Sequence, residues 1–220
     1  MVFDFRRRCM FANLTSSRTG RRLSFPGALL AWLLVIGSGF ASLLTYQMRA
    51  GVPAVAPGAW PSGAGLRLDP QRYNLVMFAH PKCPCTDASL EELRIVLAQD
   101  GGLISPTICF IDPAGVPAGW AQTGLVRKAR GIPGLNVVID VDGAMAGKFG
   151  AMTSGQVLMY DGKGRRIFAG GITGSRGHTG ENRGFASVRA LVSGDTNEPV
   201  QTPVFGCALH DEFCGTMKAP

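Results

Sequence analysis

The sequence lacks the patterns that mark several common classes of functional site. It has no Gly-rich phosphate loop, no zinc-type Cys-x₂-Cys pair, no Ser-His-Asp arrangement and no internal repeat. The excess of basic over acidic residues lies mostly at the start of the chain: six arginines opposed by Asp4 give residues 1–24 a charge of +5, out of a total of +7. The rest of the chain carries only +2, so a nucleic-acid-binding function is not indicated.

Charge is absent altogether from the 22 residues between Phe25 and Tyr46, which are rich in Leu, Ala, Val, Ile and Phe. At about 1.5 Å per residue, a helix of this length reaches roughly 33 Å and crosses a hydrocarbon core of about 30 Å. We therefore predict one transmembrane anchor at 25–46. Because arginine-rich flanks stay in the cytoplasm, residues 1–24 are predicted to be a cytoplasmic basic tail and the C-terminal domain to be periplasmic or otherwise extracytoplasmic.

A cleavable signal peptide is the alternative interpretation of this segment, since Ala54-Val55-Ala56 resembles a cleavage site. That site begins eight residues beyond the apolar run, and Pro57 follows it directly. The run is also longer than the roughly 7–15 residues of a signal core. These features favour an uncleaved anchor.

Beyond the anchor, the composition divides the chain into three further parts. Residues 47–70 contain four Gly and four Pro and are predicted to form a linker that acts as a stalk. A folded domain is predicted at 71–193. A C-terminal tail with Cys207 and Cys214 is predicted at 194–220.

Hydrophobic periodicity predicts the order of elements in the domain. In chain order these are a strand at 75–78, a helix at 87–99, strands at 108–111 and 135–139, a short helix at 144–149, a hairpin at 156–160 and 165–169, and a closing helix at 185–192. A βαβ unit followed by a ββα unit is the thioredoxin arrangement. The predicted fold class is therefore an α/β, thioredoxin-like fold preceded by one transmembrane helix.

The chemistry is predicted to lie where the first strand meets the first helix, at Cys83-Pro84-Cys85. Amide groups and the dipole at a helix start stabilise a thiolate, the nucleophilic form of cysteine, and Lys82 adds a positive charge. With one residue between them, Cys83 and Cys85 would close a small, strained disulfide, and strained disulfides exchange readily. The pattern indicates thiol–disulfide exchange, with His80 nearby.

Several motifs resemble those of a known family. Phe78 stands five residues before Cys83, as in the F-x-x-x-x-C-x-x-C pattern of the thioredoxin superfamily, although Cys85 arrives one residue early. The chain more closely resembles the RedB-type thioredoxin-like proteins, through H-P-x-C-P-C (80–85), T-S-G-x-V-L-x-Y-D (153–161), G-G-I-T-G-x-R-G-H (170–178) and T-P-V-F-G-C (202–207). This resemblance covers about residues 71–209 and implies a thioredoxin-like fold.

The same comparison implies an altered substrate-docking edge. Thioredoxins place a cis-proline just before the first strand of the hairpin, facing the active cysteines. This chain has Thr153-Ser154-Gly155 at that place. The Gly-rich loop at 170–184 follows a strand that returns to the active-site end, so it is predicted to bring Arg176, His178 and Glu181 within reach of the thiols.

The other cysteines have separate interpretations. In an oxidising compartment, exported thiols pair, react or bind metal unless they are buried. Cys109 lies in an apolar strand and is predicted to be a core residue. Cys207 either bridges Cys214 or, as the family ending implies, resolves a disulfide at Cys83. Cys9, on the cytoplasmic side, is predicted to be a free thiol.

Two functions of different classes follow. The first is a membrane-tethered thiol–disulfide oxidoreductase without a cofactor, acting on exported protein thiols or disulfides, with Cys83 as nucleophile and Cys85 or Cys207 as resolving thiol. A thiol peroxidase that keeps Cys83 is a variant of it. The second is a copper(I) metallochaperone, since Sco-type chaperones resemble this plan, with Cys83, Cys85 and His178 as soft ligands. The predicted supporting residues are His80, Lys82, Thr153 and His178.

Overall fold

The structure is a computed structural model that describes residues 25–195 and 200–209. Its first element, helix α1, spans Phe25–Met48 and continues two residues beyond the predicted anchor. Among the described residues, α1 is the one helix long and apolar enough to cross a membrane. It has the length and composition of a membrane span or of a signal sequence. The chain forms two compact units, one ending at Ser42 and the other beginning at Leu43.

The second unit is built on a mixed sheet of six strands in the order β3-β2-β1-β4-β5-β6. Its strands are β1 (Tyr73–Ala79), β2 (Ile104–Asp112), β3 (Asn136–Val141), β4 (Gln156–Tyr160), β5 (Arg166–Gly170) and β6 (Val200–Gln201). The first three run parallel, β4 pairs antiparallel with both β1 and β5, and β6 is parallel to β5. This topology confirms the predicted thioredoxin-like βαβ and ββα units.

Helices cover both faces of this sheet, so the central strand β1 is buried on both sides. Alternate residues of β1 belong to two different apolar clusters, as the period of two in a strand requires. One cluster includes side chains of α2 (Cys85–Asp100), α3 (Gly124–Arg130) and α5 (Arg183–Ser193). The other includes Ala146 and Phe149 of α4 (Ala144–Phe149). A short 3-10 turn, Gly101–Leu103, joins α2 to β2.

The segment predicted to act as a stalk differs from that prediction, because much of it lies along the domain. The Trp60 ring packs edge-on against Phe149 and Tyr160, with centroids 5.2 Å apart in each case. The Trp60 amide donates to the Gly164 carbonyl at 2.7 Å, and the Tyr160 hydroxyl donates to the Pro57 carbonyl. The free energy gained by burying the indole surface exceeds the entropy cost of ordering a segment rich in Gly and Pro.

The beginning of the C-terminal tail is also part of the fold, which the sequence analysis did not anticipate. Strand β6 has only two residues, too few for a periodic signal, and Thr202 continues it by donating its amide to the Ala169 carbonyl at 3.1 Å. The chain then passes along the Gly-rich loop, where the Gly171 amide donates to the Pro203 carbonyl. The predicted basic tail at 1–24 with Cys9, and the predicted bridge to Cys214, lie outside the described residues.

Candidate functional site

The thiol of Cys83 lies in a tight turn between β1 and α2. The Cys83 amide donates to the His80 carbonyl at 3.1 Å, and the Cys83 carbonyl accepts from the Thr86 amide at the same distance. This turn places the Cys83 side chain over the start of α2, as the sequence predicts. The residue is only 1% exposed. Cys83 is therefore a thiol at a helix start that solvent barely reaches.

The sulfur that contacts Cys83 comes from the far end of the domain. The Cys83 and Cys207 side chains share a hydrogen bond at an Sγ–Sγ distance of 2.9 Å. No disulfide bond joins the two cysteines in this structure. The contact brings together Cys83 and Cys207, the pair for which the family ending implies a disulfide.

Backbone hydrogen bonds fix the position of Cys207. The Cys207 carbonyl accepts from the Ser154 amide at 2.8 Å, and the Leu209 amide donates to the Met152 carbonyl at 2.9 Å. Residues 207–209 thus run antiparallel to 152–154, in the place just before β4. Close approach requires glycine at position 206, because a Cβ there would lie 1.9 Å from the Ser154 carbonyl oxygen.

Hydrogen-bond donors around the Cys83 sulfur stabilise its thiolate. They lower the pKa of Cys83 to about 4, the Cys207 thiol contributing most, followed by the backbone amides of Cys207 and Cys85 and the Thr86 hydroxyl. Burial opposes this shift but is outweighed. The pKa of Cys207 is raised, first because its proton is held in the hydrogen bond to Cys83 and second by burial. The pair is thus a thiolate at Cys83 with a protonated partner.

Cys85 is the third thiol of this cluster and is partly exposed. Burial, and then the negative charge of Cys83, raise its pKa. The Arg176 guanidinium acts in the opposite sense on Cys85 and Cys207. Arg176 is held at the site by a hydrogen bond from its Nη1 to the Gly206 carbonyl at 2.6 Å. The Gly-rich loop therefore brings a cation to the thiols.

Other predicted supporting residues have different surroundings. The Lys82 ammonium lies 4.3 Å from the centroid of the Trp120 ring, and the main causes that lower the pKa of Cys83 are hydrogen-bond donors. The His80 ring accepts from the Lys82 amide at 3.1 Å and contacts Trp120 edge-on. The exposed His178 ring pairs with the Arg176 carbonyl at 2.8 Å. His80 and Lys82 thus shape the rim of the site, while Arg176 of the Gly-rich loop interacts with its thiols.

Residues 153–155 form a wall of the site: they lie between the end of β1 and the tail segment that carries Cys207, and they make backbone hydrogen bonds to both. The Thr153 hydroxyl donates to the Val52 carbonyl at 2.9 Å, and the Ser154 hydroxyl accepts from the His80 amide at 2.9 Å. Ser154 also shares a hydrogen bond of 2.8 Å with the buried Thr86 hydroxyl. Thr86 and Ser154 are the site residues whose contacts the sequence analysis did not predict. The replacement of the thioredoxin proline by Thr-Ser-Gly was the signal that pointed to this wall.

Two further residues have structural roles. Cys109 is fully buried, as predicted, and burial raises its pKa to about 12. Glu181 was expected near the thiols. The neighbouring residue Gly180 donates its amide to the buried Glu92 carboxylate of α2 at 2.5 Å, so Glu92 is the acid that this part of the loop contacts.

Within residues 25–195 and 200–209, no group of three or more His, Cys, Asp or Glu side chains has an arrangement that could hold a metal ion.

The sheet topology defines the fold class of this chain: it has a thioredoxin-like fold. No protein-family model matches the chain, and no curated protein sequence matches it. Its fold is similar to that of an uncharacterized conserved protein from Geobacillus kaustophilus, at 16% identity over 75% of this chain and 93% of that chain, with a TM-score of 0.52.

Two other solved structures are similar. A hypothetical protein from Sinorhizobium meliloti matches at 21% identity over 73% of this chain and 93% of that chain, with a TM-score of 0.50. A secreted Mycobacterium tuberculosis disulfide oxidoreductase matches at 15% identity over 58% of this chain and 84% of that chain, with a TM-score of 0.42. At these identities, the similarities concern the fold.

Proposed function

We propose that this chain is a thiol–disulfide oxidoreductase whose redox pair is Cys83 and Cys207. The observation that carries the proposal is the 2.9 Å contact between the two sulfurs, one of which is surrounded by donors that favour a thiolate. Oxidation joins Cys83 and Cys207 in a disulfide and passes two electrons to a partner disulfide, which becomes two thiols. The reverse reaction oxidises a partner dithiol. Exported protein thiols or disulfides are the proposed partners, and RedB-type proteins are the proposed family.

The experiment is mass spectrometry of the purified full-length protein in detergent after mild oxidation, with bound metal measured on the same sample. We expect a Cys83–Cys207 disulfide and no stoichiometric metal. A Cys207–Cys214 disulfide with Cys83 left reduced would contradict the proposal. Stoichiometric copper lost on removal of Cys83, Cys85 or His178 would favour the metallochaperone instead. A Cys83 that forms a sulfenic acid with peroxide before it pairs would favour the peroxidase.

We further propose that α1 remains as an anchor and that the thioredoxin-like domain is extracytoplasmic. Six arginines precede α1, whereas only Arg49 and Arg67 follow it before Asp69, and this difference supports the orientation. A reporter enzyme fused after Pro220 is expected to be active only outside the cytoplasm and to sediment with membranes. A soluble exported species that begins after Ala56 would show instead that the segment is a cleaved signal.

A further inference from the structure

The two sulfurs of the proposed redox pair differ in how far a partner can reach them. Cys83 is 1% exposed, whereas Cys207 is partly exposed. An attacking sulfur must approach the sulfur that it attacks, so access decides which half of a disulfide is attacked. We propose that partner molecules exchange with Cys207, which carries the mixed disulfide, and that Cys83 is the buried resolving thiol. This inference rests on the function proposed above.

The segment that covers Cys83 is held in place on several sides. Besides the two backbone bonds to residues 152 and 154, the Gly206 carbonyl accepts from Arg176 and the Val204 carbonyl accepts from the Gly51 amide at 2.8 Å. Leu209, directly beyond, is 2% exposed and belongs to the core. Direct attack on Cys83 would require these contacts to break, whereas attack on Cys207 requires no movement of the tail.

The chemistry of the pair fits the same assignment. A partner thiolate attacks the Cys207 sulfur of the Cys83–Cys207 disulfide, so that a partner–Cys207 bond forms, the Cys83–Cys207 bond breaks and Cys83 leaves as a thiolate. Donors that stabilise the Cys83 thiolate make it the better leaving group. In the opposite direction, Cys207 passes its proton to the adjacent Cys83 thiolate, attacks a partner disulfide and releases one partner thiolate. Cys83 gives that proton to the released thiolate, attacks Cys207 and releases the second partner thiolate, which takes a proton from water.

Arg176 acts as a positioning residue in this scheme. Its guanidinium is fixed on the Gly206 carbonyl, directly before Cys207, and opposes the rise in the pKa of Cys207 that the hydrogen bond to Cys83 and burial cause. Cys83 relies instead on hydrogen-bond donors. The cation is thus placed at the more accessible sulfur, where a thiolate must form before it attacks a partner.

The test uses full-length protein in detergent, with Cys85→Ser as the background so that the third thiol cannot resolve the adduct. Reduced protein is mixed with glutathione disulfide, quenched with acid and mapped by peptide mass. In the Cys83→Ser variant of this background, a glutathione adduct is expected to accumulate on Cys207. In the Cys207→Ser variant, adduct formation on Cys83 is expected to be at least about tenfold slower because the sulfur is covered.

The opposite pattern, with fast adduct formation on Cys83 and little on Cys207, would overturn the inference while leaving the proposed redox pair intact. Wild-type protein provides a second measurement that depends on no variant. Its oxidised form is treated with excess glutathione, quenched early, unfolded and alkylated, and the adduct is expected on Cys207 with the alkyl group on Cys83. An oxidised wild type without a Cys83–Cys207 disulfide would instead remove the proposed function itself.

Discussion

Replacement of Cys207 by serine is expected to abolish catalytic disulfide exchange, while Cys85→Ser is expected to leave most of it. The reason is that the Cys83 and Cys207 sulfurs are already in contact at 2.9 Å, so the second step of exchange is intramolecular. Well-aligned intramolecular reactions have effective molarities on the order of 10⁵ M or more. Without Cys207 both the accessible attacking thiol and this intramolecular step are lost, and a rate loss of at least about 100-fold follows.

The measurement is the steady-state rate at which the reduced protein, regenerated by dithiothreitol, consumes a fluorescent disulfide peptide. Cys85→Ser is the matched control, because it makes the same chemical change two residues from Cys83 and is expected to keep the rate within about threefold. Cys83→Ser should be as damaging as Cys207→Ser, since residues that act as a unit show non-additive losses. Equal losses for Cys85→Ser and Cys207→Ser would mean that the contact between Cys83 and Cys207 is not the functional one.

Local sequence signals were sufficient for the position of Cys83 but not for its partner. A strand-to-helix junction is set by residues close in sequence, so the periodicity of 75–78 and 87–99 located the turn with Cys83 correctly. The Cys207 contact joins residues 124 positions apart and is made by backbone bonds in a segment without a periodic pattern. The family resemblance of the ending T-P-V-F-G-C was the sequence feature that linked Cys207 to Cys83.

The cation that interacts with the thiols is distant from Cys83 in sequence, and the cation adjacent to Cys83 in sequence lies elsewhere. Lys82 is adjacent to Cys83, yet its flexible side chain extends to the Trp120 ring, a contact that an exposed ammonium gains at little cost. Arg176 is far away in sequence, but the hairpin returns the Gly-rich loop to the thiols, as predicted. Its anchor on the Gly206 carbonyl connects that loop to the tail.

Two motifs of the family resemblance, those at 170–178 and 202–207, pack on each other. A Cβ at Gly171 would lie 2.8 Å from the Pro203 carbonyl oxygen, so the 170–178 motif has room only for glycine where the 202–207 motif passes. This contact carries Cys207 toward Cys83. The resemblance identified both motifs from the sequence, but their role in bringing the two thiols together became visible only from the packing.

The reduced protein is expected to contain one thiolate at neutral pH, located at Cys83. The Cys207 thiol, the amides of Cys207 and Cys85, and the Thr86 hydroxyl lower the pKa of Cys83 to about 4, well below the usual value of about 8.5. The ultraviolet thiolate absorbance of the wild type should therefore fall as the pH drops through about 4. Cys83→Ser should lose this transition, and Cys207→Ala should move it to higher pH because the largest donor is removed.

The same shift makes the stability of the reduced fold depend on pH. Between the folded pKa of about 4 and the ordinary value near 8.5, the unfolded chain binds one more proton at Cys83, so this residue's stabilisation grows as the pH rises and is lost on acidification through about 4. Because other groups titrate in this range, the quantity to measure is the difference in unfolding free energy between wild type and Cys83→Ser across pH.

Cys109→Ala is the matched control for this measurement, since burial keeps that thiol protonated and its removal should leave the pH dependence unchanged.

A stabilised Cys83 thiolate also favours the reduced state. The Cys83–Cys207 disulfide is therefore expected to be more oxidising than a structural disulfide, a difference measurable by equilibration with glutathione buffers. A thiolate absorbance that titrates near 8.5 in the wild type would contradict both expectations.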